Sequence, residues 1–393
     1  RMNILILSHK PPYPIIDGGC HAMDRFVRDL LTSYPDASID YLCISTQKHP
    51  FNANSIPEEL KNRIQFNTIE ISTRLNPISA FLHLVANKSY QLSRFKQQIV
   101  LDKITRLIKN KPLDFLFFES LFCGAYIDEI IKITNAVRIH RAHNVEHLIW
   151  EKLSINAHNP LKKWYFKHLS DTLKRFELDF ISKNNHVFSI APLDYNYFRD
   201  GGSNKVSYIP VSMTTSPIKE TISNSICFLG AYNWLPNKEG ILWFTSEVFP
   251  FLLEKSPDLK LHIAGSFSEE ISGLRKSPSI QMHGFVSSSK DFISNHGLFI
   301  APILSGSGVK MKVLEAMSLG VPCIVSAHAS DGLDLPDIIP ICHNNKDFIT
   351  QVSLLLHNEA LAKEIGLAGQ EYIKHNYSSE LVSNEIIDTL SRQ

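Results

Sequence analysis

The stretch "GLFIAPILSGSGVKMKVLEAMSLGVPCIVS", residues 297–326, joins two apolar runs through a glycine-rich turn and an amphipathic segment. Short apolar runs bounded by turn signals are typical of buried strands, and the segment between these two has helical spacing. The stretch therefore predicts a strand–helix–strand unit of a parallel sheet. A glycine-rich turn that opens a helix is a natural anion site, because free backbone N–H groups and the positive end of the helix dipole point outward.

The same alternation extends through the whole chain. Strands are predicted at "NILILS", "SIDYLCIS", "DFLFFES" and "AVRIHRAH" in the first half, and at "SICFLG", "LKLHIAG" and "SIQMHGFV" in the second. One long helix, "NKEGILWFTSEVFPFLLEK", is predicted after "SICFLG". Strands that are apolar on both faces and separated by helices indicate parallel sheets covered on both sides. The predicted fold class is α/β, with two Rossmann-like, doubly wound parallel sheets.

The predicted boundaries are 1–207 for the first domain, 208–224 for a linker rich in Pro, Ser and Thr, and 225–375 for the second domain. Residues 376–393 form a last helix, which we expect to cross back to the first domain. Two open α/β halves joined by a hinge place a ligand cleft between them, at the carboxyl ends of the strands.

Composition excludes several classes of protein. The 393 residues are 44% hydrophobic and 20% charged, as in ordinary globular domains. With 40 basic and 39 acidic residues, the net charge of +1 gives no argument for a nucleic-acid partner. The six scattered cysteines predict buried, reduced thiols in a cytoplasmic protein. The opening run "NILILSH" is too short for a signal peptide, and no stretch is apolar enough to span a bilayer.

The turn "GSGVKMKVLEAM" is the first candidate binding motif. Gly306 and Gly308 would let the backbone approach a ligand, and Lys310 and Lys312 would add positive charge. Glu315, about one turn into the helix, could accept hydrogen bonds from sugar or ribose hydroxyls. The alternative is a tight strand-to-helix turn with solvated lysines. The spacing matches neither a P-loop nor G-x-G-x-x-G.

Two further turns follow predicted strands. In "HKPPYPIIDGG", Gly18 and Gly19 open the first helix on the usual ligand side of the sheet, unless the segment is an ordinary turn. In "FLGAYNWLPNKEGILWF", Gly230 ends a strand and could leave room for a phosphate or sugar. Trp234 and Trp243 are predicted to be core residues rather than sugar platforms.

The segment "HRAHNVEHLIWEK" contains His143, Glu146 and His147, which match the inverted zinc-protease pattern H-x-x-E-H. The preceding "AVRIH" is a predicted strand, so His143 should lie at a strand end rather than inside a helix. His143 therefore has three possible roles: a polar residue that faces the cleft, a structural histidine, or a zinc ligand.

Two segments are basic in a nearly neutral chain, at 88–111 and 160–176. The second interleaves Trp164, Tyr165 and Phe166 with lysines. A basic amphipathic helix with aromatic residues can lie on an anionic membrane surface, and a solvated outer helix face is the alternative.

Together, these motifs resemble glycosyltransferase family 4, the group 1 glycosyl transferases of the GT-B fold, in which two Rossmann-like domains face across a cleft. The resemblance is carried by "FLGAYNWLPNKEGILWF", "LHIAG", "HGFV" and the stretch 297–326, and more loosely by "ILSHKPPYPIIDGG" and "RAHNVEH". It implies that the second domain binds a nucleotide-sugar donor and the first an acceptor. It also implies retention of anomeric configuration, with no metal and no cofactor.

Residue by residue, the resemblance implies specific roles. Family members carry two glutamates in the pattern E-x7-E. The second matches Glu315, which is therefore expected to bind the ribose of the donor. Ser307 stands where the first would be, which puts the usual contact to the donor sugar in doubt. A subgroup of the family has the pattern G-x-G-x-K-x-K before the second glutamate. Its presence here implies that Lys310 and Lys312 are the leading candidates to bind the diphosphate. His143 falls where many members place a histidine near the reacting sugar.

The other donor-binding positions form a larger set of glycines and neighbouring residues. They are Gly18, Gly19, Gly230, Lys238, Gly284, Phe285, Val286, Gly306 and Gly308. Lys238 is the only basic candidate after the first strand of the second domain, where members commonly carry an Arg and a Lys. The segment 284–286 is expected to influence the choice of base.

The sequence thus predicts a cytoplasmic, bacterial-type glycosyltransferase, at the inner face of the cell membrane if the basic segments bind lipid. A UDP- or GDP-sugar is the expected donor, and a glycan or lipid-linked molecule the expected acceptor. Lysines at a helix start would stabilise the charge that builds on the leaving diphosphate. The alternatives are a zinc metallopeptidase using residues 143–147, and a GT-B protein that binds nucleotide or glycan without turnover, suggested by Ser307.

Overall fold

The computed structural model describes residues 2–74, 82–84, 86, 89–201, 205–219, 222–268, 271–274, 277–306 and 308–393. The chain divides into two compact units. The first comprises residues 1–211 together with 382–393, and the second comprises residues 212–381.

The first unit is built on a sheet of seven parallel strands in the order β3-β2-β1-β4-β5-β6-β7. Its strands are β1 Asn3–Ser8, β2 Ser38–Ser45, β3 Ile64–Glu70, β4 Phe115–Phe118, β5 Val137–Ala142, β6 His186–Ser189 and β7 Val206–Tyr208. The order reverses beside β1, so the sheet is doubly wound as predicted.

Helices separate the strands of the first unit. They are α1 Gly18–Ser33, α2 Glu58–Lys61, α3 Tyr90–Ser93, α4 Gln98–Asn110, α5 Ile127–Ile130, α6 Glu146–Ile155, α7 Pro160–Lys183 and α8 Pro192–Asp200, with 3₁₀ turns at Ala53–Ser55 and Leu121–Tyr126. Strand β1 is buried on both faces, since Ile4, Leu5, Ile6 and Leu7 are all inaccessible to water. This explains its continuous apolar run.

The second unit has a sheet of six parallel strands in the order β10-β9-β8-β11-β12-β13. Its strands are β8 Ile222–Leu229, β9 Lys260–Ala264, β10 Ile280–Gly284, β11 His296–Ala301, β12 Cys323–Ser326 and β13 Ile341–Cys342. The helices are α9 Leu235–Glu247, α10 Phe249–Lys255, α11 Ser289–Ser294, α12 Met311–Ser318, α13 Ala327–Ser330, α14 Asn345–Leu356, α15 Glu359–Tyr377 and α16 Ser379–Leu390. From Val382 onward the last helix belongs to the first unit.

The predicted fold class is confirmed, and two details differ from the sequence prediction. The segment predicted as one long helix is two helices, α9 and α10, which meet at Val248 with φ −121°. Pro250 follows two residues later, lacks an N–H group and crowds the residue before it, so the helix breaks here. Strand β8 also begins at Ile222, inside the stretch predicted as linker.

Close backbone contacts fix the carboxyl edge of the second sheet. A Cβ added at Gly240 would lie 2.1 Å from the carbonyl oxygen of Pro302, and one added at Gly265 would lie 1.8 Å from that of Gly230. Any side chain at these positions would displace backbone, so helix α9 and the ends of β8, β9 and β11 are held at fixed separations.

Candidate active site

The first unit contains a pocket of about 270 Å³, near the lower end of the usual range for small-molecule sites. Its lining comes from the loops that follow β1, β4 and β5 and from the start of α1. The lining residues are His9, Lys10, Asp17, Gly19, Glu119, Ser120, Leu121, His140, His143, Asn144 and Glu146. His143 directly follows β5, as the sequence predicted.

On one side of this pocket, Lys10 and Asp17 neutralise each other. The Lys10 ammonium donates to both Asp17 carboxylate oxygens, at 2.7 and 2.6 Å. Asp17 also caps α1 by accepting from the backbone N–H of Cys20 at 2.8 Å. Burial works against ionisation, but Lys10 and the cap lower the pKa of Asp17 to about 2. Gly19 leaves room for this pair, since an added Cβ would lie 2.9 Å from Lys10 Nζ.

A buried carboxylate organises the opposite side of the pocket. Glu119 has no exposed surface and accepts from Arg141 Nη1 and His143 Nε2, both at 2.8 Å. Burial alone would raise the pKa of Glu119, but the Arg141 guanidinium and the His143 N–H lower it below its ordinary value. Within the described part of the chain, the second oxygen of this carboxylate, Oε1, is buried without a hydrogen-bond partner.

The imidazoles around the pocket are neutral at pH 7. Burial lowers the pKa of His9 to about 3 and that of His140 to about 4. Burial also lowers the pKa of His143, although its hydrogen bond to Glu119 works in the other direction. A neutral His143 that donates from Nε2 to a carboxylate carries no proton on Nδ1. That nitrogen is therefore a hydrogen-bond acceptor.

Glu146, at the start of α6, holds a proton at neutral pH. Burial and the negative charge of nearby Glu177 raise the pKa of Glu146 to about 8. Glu177 is itself buried and accepts from the backbone N–H of Glu146 at 3.0 Å. With Lys10 and Glu119 both paired and Glu146 protonated, the pocket offers neutral hydrogen-bonding groups rather than a net charge.

The zinc hypothesis gains no support from this arrangement. His147 donates from Nδ1 to Glu177 Oε2 at 2.6 Å, and its Nε2 accepts from the Tyr197 hydroxyl at 2.9 Å, so both ring nitrogens are engaged. His143 lies outside helix α6 and is bonded to Glu119. In the described ranges, no group of three or more His, Cys, Asp or Glu side chains is placed to hold a metal ion.

In the second unit, the glycine-rich turn packs against the start of α9. Gly306, with φ +101°, lies against Trp234 and Pro236, where a Cβ would come within 3.0 and 3.1 Å. Lys310 is 9% exposed, donates to the carbonyl oxygen of Gly308 at 2.8 Å and lies 5.6 Å from the centre of the Trp234 ring. The structure thus brings Gly306, Gly308 and Lys310 together.

Helix α12, which follows this turn, starts without a side-chain cap among the described residues. In its first turn, the N–H groups of Met311 and Val313 donate to the carbonyl oxygens of Val309 and Lys310, at 3.1 and 2.8 Å. The positive end of the helix dipole still favours an anion at this point, next to the Lys310 ammonium. Ser307 lies outside the described residues, so the structure does not test what stands in place of the first glutamate.

Glu315 and Lys312 form a second group on α12. The Glu315 carboxylate accepts from Lys312 Nζ at 2.6 Å and from the Ser289 hydroxyl at the start of α11. Gly284, Phe285 and Val286 lead from β10 toward Ser289. Gly284 has φ +65°, and Phe285 is 65% exposed.

Two other predicted donor-binding residues lie at the first strand of the second unit. Gly230 follows β8, and Asn237 fills the space beside it, because an added Cβ would lie 2.6 Å from Asn237 Nδ2. Lys238 contacts the Ser272 hydroxyl at 3.4 Å. The assigned roles of all these residues remain predictions.

Two residues were missed or misread in the sequence. Glu119 was not a candidate, although a glutamate at the end of the apolar run "DFLFF" is a usable signal, because a charge at such a position needs a partner. The prediction that Trp234 is a core residue is wrong, since 40% of it is exposed beside Lys310. Trp243 does pack on the core of the second unit, against Phe348. The six cysteines are buried and free, as predicted.

The two basic segments differ in the structure. Helix α4, within 88–111, buries its apolar face in the first unit through Val100, Ile104, Leu107 and Ile108. Helix α7, which contains 160–176, leaves Trp164 exposed. Among the described helices, none is both long and apolar enough to cross a membrane.

Comparison with solved structures establishes the class of fold. Over the whole chain, the protein superposes on sucrose-phosphate synthase from Thermosynechococcus elongatus, with TM-score 0.70, 13% identity and 99% of that chain covered. It superposes equally fully on Anabaena HepE in complex with UDP-glucose, with TM-score 0.67, 13% identity and 100% of that chain covered. These similarities place both units in the GT-B fold.

Two further comparisons use sequence and a third solved structure. Residues 223–358, which lie within the second unit, match the family described as Glycosyl transferases group 1. A protein in the cps region of Klebsiella pneumoniae is 24% identical over 98% of both chains. A mutant of Staphylococcus aureus TarM in complex with fondaparinux, alpha-GlcNAc-glycerol and UDP has TM-score 0.67 and 11% identity, covering 99% of this chain and 100% of that one.

The proton on Glu146 predicts a pH-dependent stability. Below about pH 8 the folded protein keeps this proton, whereas an unfolded chain releases it above about pH 4.5, so rising pH between these values favours unfolding. Glu146→Gln removes the effect. Between pH 5 and 8, we expect the free energy of unfolding of this variant to rise relative to that of the wild type by up to about 1.4 kcal/mol per pH unit.

Urea unfolding at each pH measures this difference. The matched control is Glu151→Gln on the same helix, whose carboxylate is 40% exposed. The control should follow the wild type at every pH. A pH-independent difference between Glu146→Gln and the wild type would show that Glu146 is ionised in the folded protein.

Proposed function

We propose that the protein is a retaining glycosyltransferase of family 4 that moves a sugar from a nucleotide-diphosphate sugar to a glycan or lipid-linked acceptor. The observation that carries the proposal is Lys310, a buried lysine beside the uncapped start of α12 in the domain that matches group 1 glycosyl transferases. A lysine ammonium at the positive end of a helix dipole suits the diphosphate of such a donor.

In this proposal, the second unit holds the donor. Lys310 binds the diphosphate, with Lys312 as second cation, and Glu315 accepts from the ribose hydroxyls. Lys312 and Ser289 already hold the Glu315 carboxylate in place, so the ribose would meet an oriented acceptor. HepE bound to UDP-glucose and TarM bound to UDP support a uridine nucleotide as the first donor to test.

The transfer proceeds on one face of the donor sugar. The bond between the anomeric carbon and the phosphate oxygen breaks, and the acceptor oxygen bonds to that carbon from the same side. The acceptor proton passes to the departing phosphate, so neither a metal nor a protein nucleophile takes part. Lys310 and the start of α12 stabilise the charge that grows on the leaving diphosphate.

The pocket of the first unit binds uncharged sugar hydroxyls. Its charged side chains are paired and its imidazoles neutral, so it offers hydrogen bonds without a preference for an anion. His143 contacts the reacting sugar, and Glu119 acts as its positioning residue by fixing the proton on Nε2. The relative from a cps region supports a role in polysaccharide synthesis.

The donor assignment predicts a specific loss of binding. With the nucleotide chosen by a thermal-shift screen of UDP, GDP, ADP and CMP, Lys310→Ala should raise its Kd about tenfold, or about 1.4 kcal/mol. Calorimetric titration measures this change. Lys363→Ala, which removes an exposed lysine from α15, should bind as the wild type does. Unchanged binding in Lys310→Ala would refute the phosphate role, and no turnover of any nucleotide sugar by the wild type would refute the function.

The positioning role of Glu119 predicts a rate effect. Glu119→Gln should lower kcat at least about tenfold with the donor KM nearly unchanged, because His143 is no longer held in one tautomer. In ¹⁵N NMR, His143 of the wild type should be neutral and protonated at Nε2, and the variant should show both tautomers. Asp40→Asn breaks another partly buried ion pair, with Lys111, at residues that do not line the pocket, and should share the loss of stability while keeping kcat. If kcat falls equally in the two variants, the role of Glu119 is structural and it does not position His143.

A further inference from the structure

The hairpin of α6 and α7 in the first unit exposes large apolar side chains at its turn. Ile155, at the end of α6, is 67% exposed, while Leu161 and Trp164, in the first turns of α7, are 77% and 58% exposed. This end of α7 is well formed, because Asn159 caps it by accepting from the N–H groups of Leu161 and Lys162. The apolar side chains therefore stand on an ordered helix start, which we call the hairpin tip (residues 152–167).

The charge around the hairpin tip has one sign. From 152 to 170 the sequence contains four lysines and two histidines but no aspartate or glutamate. The acidic residues that bound this stretch, Glu151 and Asp171, both lie within ion-pair distance of Lys167. Lys162 and Lys163 are exposed in the same helical turn as Leu161 and Trp164. The 100° step between helical residues places the two lysines on either flank of this apolar pair, at the same end of α7.

Helix α4, the other basic segment, lacks this combination. Its apolar residues at 100, 104, 107 and 108 are buried in the first unit, and its basic residues lie on the remaining face. Such a helix is a solvated amphipathic element of a globular domain. Ile99, at the start of α4, is 58% exposed, but the hairpin tip exposes three large apolar side chains, Ile155, Leu161 and Trp164. The two segments look alike in the sequence and differ in the structure in this respect.

We propose that the hairpin tip docks on the surface of a bilayer that contains anionic lipids. Leu161 and Trp164 enter the boundary between headgroups and acyl chains, and Lys162 and Lys163 bind lipid phosphates. Tryptophan suits this position because its ring is apolar and its N–H can remain hydrated. The charge of the tip selects an anionic surface over a neutral one. This proposal stands independently of the proposed glycosyltransferase activity.

Vesicle co-sedimentation tests the proposal with the full chain. We expect binding to phosphatidylcholine vesicles that contain phosphatidylglycerol, and little binding to phosphatidylcholine alone. Lys162→Glu/Lys163→Glu should lower the partition coefficient at least about tenfold, because it reverses two charges at the membrane surface. Leu161→Ser/Trp164→Ser should lower it without changing the net charge.

The matched control is Arg106→Glu/Lys109→Glu, which makes the same change of net charge at exposed positions of α4. The control should bind vesicles as the wild type does, and thermal unfolding should show all variants folded. The proposal is wrong if the wild type ignores the anionic vesicles, or if both double charge reversals weaken binding equally. If the wild type self-associates but binds no vesicles, and Leu161→Ser/Trp164→Ser abolishes that self-association, the hairpin tip is instead a contact between copies of this chain.

Discussion

A parallel strand that is buried on both faces must be followed by a crossover connection before the next strand can pair with it. In each unit this constraint gathers the loops after the strands at one edge of the sheet. Backbone contacts fix that edge in the second unit, where Gly265 meets Gly230 and Gly240 meets Pro302. These contacts involve backbone alone, and they fix the edge from which Trp234 and the glycine-rich turn extend.

The carboxyl edges of the two sheets differ in charge. In the first unit, Glu119 is paired with Arg141 and His143, and Lys10 with Asp17, so the pocket is nearly neutral. In the second, a lysine stands at the start of a helix without a side-chain cap, which adds its charge to the helix dipole. A nucleotide sugar has a dianionic part and a neutral part. The edge of the second unit therefore suits the dianionic part, and the pocket of the first unit suits uncharged hydroxyl groups.

Much of the fold could be predicted because continuous apolar runs mark strands buried on both faces. The strands Asn3–Ser8 and Ser38–Ser45 have the predicted bounds for this reason. The break between α9 and α10 was missed because helical periodicity continues past Val248, and only Pro250 marks the interruption.

The candidate site was less predictable, because its contacts depend on pairing between strands. Glu119 and His143 are 24 residues apart and meet only because Phe118 of β4 pairs with His140 of β5. Nothing in the local sequence reveals this register. Trp234 was misread since tryptophan is buried on average, whereas here the turn at Gly306 packs on one edge and leaves the ring partly open.

The most direct test of the central claim is a crystal structure of the protein with UDP. The account predicts that the diphosphate lies at the start of α12, within hydrogen-bond distance of Lys310 Nζ, and that the ribose hydroxyls donate to Glu315. A nucleotide bound elsewhere, with Glu315 still occupied by Lys312 and Ser289, would contradict it.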